Sequence, residues 1–247
     1  MKKLTLILLF LPILIFGQIT YIVGNGNFGV VASTTQTVSV GNTSGANFIV
    51  VGVGTYAATG AMATSVGDNY SNTYTRAFRA FYPGYENTDV WYAYNATGGS
   101  GHICTVTFGA SSANTVGVGA FSGVKSTSNP IEYMATSSSL TTNVNTITPG
   151  PITPSTNNNL IVAIVTFSSL APTIAAPTGY STIYRNPAGT LNTSLQFVYK
   201  IQTTLATENP VFQTVTGSNT ACAGIVNFLS NPIISGNYKG IILFYSR

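Results

Sequence analysis

An apolar run at residues 47–55, NFIVVGVGT, returns at residues 159–166 as NLIVAIVT, and the rest of the chain can be placed around this echo. Each run has too many consecutive apolar positions for a strand with one face in water. Gly52 and Gly54 argue against helix, so both runs are expected to be central strands, the glycines making room for a large neighbour or a twist. Shorter segments read as further strands: 36–40, 73–81, 90–95, 103–108 and 115–121 in a first half, and 141–148, 180–185, 194–201, 210–216 and 221–229 in a second. Gly98, Gly99 and Gly101 predict a hairpin joining 90–95 to 103–108. Residues 82–88, YPGYENT, read as an aromatic loop, 19–31 as a Gly- and Asn-rich lead, and 126–142 as a linker or a loop packed on the body. A last apolar segment, 241–245, has no counterpart and should be buried or paired.

The halves also match at intervals. Asn47 corresponds to Asn159 at an offset of 112, Tyr94 to Tyr199 at 105, Asn114 and Thr115 to Asn219 and Thr220 at 105, and Phe121 to Phe228 at 107. Ordered agreement with small loop drift is what a diverged duplication leaves. The expected fold class is therefore an all-β, antiparallel β-sandwich, jelly-roll-like and internally duplicated, with halves at about residues 36–125 and 141–230. One integrated body is preferred over two tandem sandwiches.

Composition agrees. Charged residues make up 6% of the chain, and Ser, Thr, Asn and Gly stand where Lys and Glu would support exposed helices. Lys2 and Lys3 followed by the apolar residues 4–16 have the form of a secretory signal, with cleavage expected after Gly17 to leave residues 18–247. The run is short for a span, so no stable membrane segment is expected after removal. Losing both lysines lowers the formal charge from +4 to +2. The other cations are scattered and make no stripe for nucleic acid.

The order NFIVVGVG, DNYSNTYT (68–75), VWYAYNATGGSGHICTVTF (90–108) and AFSGVKSTSNPI (120–131) resembles a secreted β-sandwich module of bacterial surface proteins and phage structural proteins. The resemblance covers roughly residues 36–229. Its motifs are strand and turn residues, so it implies a fold and no reaction.

Candidate chemistry is sparse. The acids are Asp68, Glu86, Asp89, Glu132 and Glu208, and the histidine is His102. Glu86 and Asp89 are the only close acidic pair, in or beside the aromatic loop, and no catalytic residue is assigned. Asp68 reads as a turn former. His102 reads as a hairpin-end residue, without neighbours in a recognised ligand spacing, and no metal or cofactor is expected. Cys104 and Cys222 both point inward by alternation; a disulfide and two buried thiols both remain open. Alignment of Tyr94 on Tyr199 turns Trp91 away from the apolar face. Trp91, Tyr82 and Tyr85, with Glu86 and Asp89, then form a candidate ligand-binding platform.

These observations point to a secreted, non-enzymatic structural or adhesive protein of the cell surface or a virion, extracellular or periplasmic. The alternative is a carbohydrate-binding module, and a glycan-active hydrolase is disfavoured by the few carboxylates. A glycan, a surface protein or a second copy are the expected partners.

Overall fold

The structure, a computed structural model, describes residues 15–16, 18–29, 32–56, 61–140, 146–167, 175–186, 193–213 and 220–233. Among these the chain is all-β and antiparallel, and no helix is long and apolar enough to cross a membrane. The expected signal (apart from residues 15–16), the start of the 141–148 strand and the 241–245 segment lie outside the described residues.

Strands β1 (Ile15–Phe16), β2 (Thr20–Phe28), β3 (Ser33–Gly41), β4 (Phe48–Tyr56) and β5 (Ala63–Asp68) open the chain. They are followed by β6 (Thr75–Phe81), β7 (Glu86–Tyr94), β8 (His102–Ser112) and β9 (Asn114–Ser122). The second half supplies β10 (Ile131–Leu140), β11 (Thr146–Ile147), β12 (Asn159–Phe167) and β13 (Ser181–Arg185). It continues with β14 (Ser194–Gln202), β15 (Phe212–Gln213), β16 (Thr220–Phe228) and β17 (Pro232–Ile233), the last pairing with β1.

The first half forms a large sheet, β2-β9-β4-β7-β6, and a small one, β3-β8-β5. That order is a jelly roll in which β6 has joined the larger sheet. The second half repeats the large sheet strand for strand as β10-β16-β12-β14-β13, and among the described residues a two-stranded pair, β11-β15, stands where the three-stranded small sheet stands in the first. Irregularities recur too. A bulge falls between Tyr21 and Val23 and between Ile131 and Tyr133, and another between Arg76 and Phe78 and between Thr182 and Tyr184. Bulges are specific local devices, so their repetition supports duplication more strongly than strand order alone.

Register corrects two of the sequence matches. Val50 pairs with Tyr92 and Val162 with Tyr199, so Tyr199 answers to Tyr92 and not to Tyr94. Likewise Thr115 opposes Gly54 and Cys222 opposes Thr166, which makes Thr115 the mate of Cys222. Both slips are of two residues, which leaves every side chain on its assigned face.

The sheets stack in four layers. The two large sheets face each other across a core that draws on both halves, including Phe48, Val50, Tyr92 and Phe121 from one and Val162, Ile164, Phe197 and Phe228 from the other. Tyr21 stacks on Tyr199 across it at 4.7 Å, and the Phe48 and Phe228 rings are 4.7 Å apart. Outer cores lie beneath each small layer, one around Val51, Trp91, Cys104 and Val106, the other around Ile161, Val198 and Phe212. Strands β4, β7, β9, β12 and β16 are therefore buried on both faces, as the unbroken apolar runs of β4 and β12 require. A Cβ on Gly52 would lie 2.8 Å from Ile164, so this glycine does make room for a neighbour across the central core.

The expected β7–β8 hairpin does not form. β7 pairs with β4 and β6, whereas β8 pairs with β3 and β5, so the glycine turn carries the chain from one sheet to the other. Two segments read as lead and connection are strands, β2 and β10. In β2, the Asn25 and Asn27 amides donate to the Ser39 and Thr37 carbonyls of the facing layer.

Candidate functional site

The aromatic platform is not assembled. Trp91 does lie on the opposite face from Tyr92, but that face is covered by the β3-β8-β5 layer and leaves the residue 8% exposed. The Arg76 guanidinium sits over its ring, 5.4 Å from the centroid. Tyr82 and Tyr85 form a tight turn, their rings 5.9 Å apart, in which Tyr82 N–H donates to Glu86 C=O; Tyr85 is exposed.

Glu86 and Asp89 are not a solvated loop pair, because β7 begins at Glu86 and carries both inside. Register turns Glu86 toward the central core with Thr88 and Val90, and Asp89 toward the first outer core. Asp89 receives both prongs of the Arg79 guanidinium, Nε at 2.6 Å and Nη2 at 3.1 Å, with the Asn87 amide at 2.8 Å. Burial raises the Asp89 pKa while Arg79 pulls against it. Glu86 has no hydrogen-bond partner on either carboxyl oxygen, and complete burial pushes its pKa well above the ordinary value.

The cysteines are free and lie in different layers. Cys104 belongs to the first outer core, whereas Cys222 Sγ donates to the Glu86 carbonyl at 3.3 Å between the large sheets. The two-thiol alternative is the one observed, because β7 and its sheet stand between them. Burial pushes both thiols up to about 12, which disfavours a nucleophilic thiolate.

Two polar corners occupy equivalent ends of the halves. In the first, Asp68 ends β5, and its Oδ1 accepts from the backbone N–H of Tyr70 and Asn72 at 3.0 Å each. Its Oδ2 accepts from the Asn72 amide at 2.8 Å and from Tyr74 Oη–H at 2.7 Å, with His102 Nε2 at 3.0 Å. Thr43 Oγ1 holds the other ring nitrogen at 2.8 Å, and Cys104 Sγ lies 3.9 Å from Nε2 and 3.3 Å from Tyr74 Oη. The side chains of Asp68, His102 and Cys104 are sealed from solvent. Burial works against charge on Asp68, yet hydrogen bonds from Asn72 and Tyr74 and the adjacent His102 outweigh it and leave the pKa lowered. His102 is thus no bare hairpin end, and Asp68 is a turn former and more.

Tyr180 stands in the second half where Tyr74 stands in the first, since Thr75 pairs with Tyr92 and Ser181 with Tyr199. Its hydroxyl donates to Glu208 Oε2 at 3.0 Å, and Lys200 Nζ donates to Oε1 at 2.7 Å. Beside it runs an open groove of about 500 Å³ lined by residues 175–178, Tyr180, 207–211 and Gln213. Comparison with family models, curated proteins and solved structures finds no match. The chemistry must therefore be read from the two corners themselves. The first brings together a carboxylate, an imidazole and a thiol; the second pairs a carboxylate and an ammonium at the edge of an accessible groove. One signal for the first was in the sequence: His102 and Cys104, two apart on a strand, share a face. Asp68 and Tyr74 are brought in by the pairing of β5 with β8 and by the turn after β5, which spacing does not reveal.

Proposed function

We propose that the chain is an exported, non-enzymatic module that works as a structural or adhesive element at a cell surface or in a virion. The observation that carries this reading is the fate of the five acidic residues. Asp68, Asp89 and Glu208 are buried carboxylates each held by a hydrogen-bonded partner, Glu86 is sealed without a partner, and Glu132 is bonded to Ser155 and to the Asn227 amide. Groups that acid–base chemistry would need are bonded into the scaffold or sealed inside it. The secretory form of residues 1–17 and the resemblance to surface and phage modules support the same reading, and jelly rolls serve often in capsid and lectin domains, an analogy of fold that assigns no residue a role.

Carbohydrate binding is the second reading, and the groove at Tyr180 favours it over the expected site at Trp91. An aromatic residue, amides from Asn209 and Gln213 and a buried carboxylate at one open face suit a polyhydroxylated ligand. Electron microscopy and light scattering of the purified mature protein, run beside a glycan array and a panel of chromogenic glycosides, test both. Ordered assembly or adherence without turnover is expected. Turnover abolished by Glu86→Gln or Asp89→Asn would overturn the non-enzymatic reading, and glycan binding lost in Tyr180→Ala would establish the second.

A further inference from the structure

Asp68 Oδ2, His102 Nε2 and Cys104 Sγ all lie within 4.8 Å of one another. Two edges of that triangle measure 3.0 Å and 3.9 Å, so the point equidistant from the three atoms is about 2.0 to 2.4 Å from each, the range of zinc–oxygen, zinc–nitrogen and zinc–sulfur bonds. Tyr74 Oη, 2.7 Å from Oδ2 and 3.3 Å from Sγ, stands beside the triangle as a fourth donor atom. Thr43 grips the far nitrogen of His102, the outer contact that fixes a ligating imidazole.

The repeat adds an independent argument. At the equivalent corner of the second half, Tyr180 and a buried carboxylate are joined by the Lys200 ammonium. Among the described residues, the hydrogen bonds to Asp68 in the first half come from backbone, amide, phenol and imidazole groups, and an imidazole and a thiol, donors of the kind that hold zinc, stand there. We propose that Asp68, His102 and Cys104, with Tyr74 as the fourth donor, bind one divalent cation of the zinc class. The cation does for the first corner what Lys200 does for the second. Asp68 and the Cys104 thiolate balance its two charges, His102 ligates through Nε2 as the neutral imidazole, and the thiol proton, with any proton held on Nε2, leaves to solvent on binding. All three side chains are sealed, so the site is structural and is filled during folding.

The test uses the full mature protein, unfolded in chelator and refolded with zinc, with cobalt(II) or with chelator alone. Elemental analysis should find one zinc per chain, cobalt should give a thiolate charge-transfer band, and the thermal midpoint should rise over the chelated protein. His102→Gln and Cys104→Ala should weaken zinc binding about tenfold or more, while Cys222→Ala leaves it unchanged. Refolded wild-type protein that holds no zinc or cobalt overturns the proposal. So does bound cobalt without the thiolate band, a readout on the wild type that stands even if the variants fail to fold.

Discussion

Glu86 is the group whose removal should change stability in the most diagnostic way. It is fully buried between the large sheets with no partner for either oxygen. Burial raises its folded pKa well above the ordinary carboxyl value, so above about pH 4.3 the folded chain keeps a proton that the unfolded chain has lost. Stability then falls as pH rises, by about 1.4 kcal/mol per pH unit, from the unfolded pKa up to the raised folded one. Against a total of about 5 to 15 kcal/mol this is a large slope. Glu86→Gln keeps the size and removes the titration. Urea unfolding of both proteins from about pH 5 upward should give curves that diverge until the raised folded pKa is passed, the wild type losing ground by that slope. Asp68 and Asp89 are present in both and cancel. Glu86→Met also removes the unsatisfied polar atoms and should add about 1 to 3 kcal/mol over Gln at any pH in the range. Parallel wild-type and Gln curves would refute the reasoning, because they would mean that Glu86 titrates normally in the folded state.

Other outcomes follow from neighbouring contacts. Arg79→Met strands Asp89 without its guanidinium and should cost about 3 kcal/mol by urea unfolding, an effect that Asp89→Asn in the same chain should partly relieve. A Cβ on Gly224 would lie 2.0 Å from Phe78, so Gly224→Ala should cost about 1 to 3 kcal/mol; it should be far from additive with Phe78→Leu, and additive costs would mean the two do not touch. Thiol titration in denaturant without reductant should count two free thiols, and a count of none would contradict the separation of Cys104 and Cys222.

The parts of this fold that the sequence reveals are those buried on two faces. β4 and β12 have no polar face, so an unbroken apolar run marks them, and the runs around them inherit their order. β2 and β10 were obscured because each is an edge strand of its large sheet, with partly exposed positions throughout and, in β2, asparagines that bond to another layer. Trp91 illustrates a different limit. Two-residue alternation gives the face a side chain occupies and is silent on what covers that face, and here a third layer covers it. The same limit explains Glu86 and Asp89, which follow a Pro-Gly turn and look solvated, although the turn ends at Tyr85. The candidate cation site was half legible. His102 and Cys104 share one strand face, but Asp68 lies 34 residues earlier and arrives only through sheet pairing.

Phe78 of the first half lies against Gly224 of the second, and Tyr184 of the second lies against Gly117 of the first. Register makes Phe78 the mate of Tyr184 and Gly117 the mate of Gly224, so one contact is made twice with its partners exchanged. That reciprocity is the signature of an isologous interface between two copies of one subunit. The chain thus carries a homodimer on a single thread. Joining the copies replaces association with docking at an effective concentration set by a short connection, so assembly no longer depends on how much protein is present. It also frees the copies from identity, and the outer corners have used that freedom, one closing around an imidazole and a thiol and the other opening into a groove.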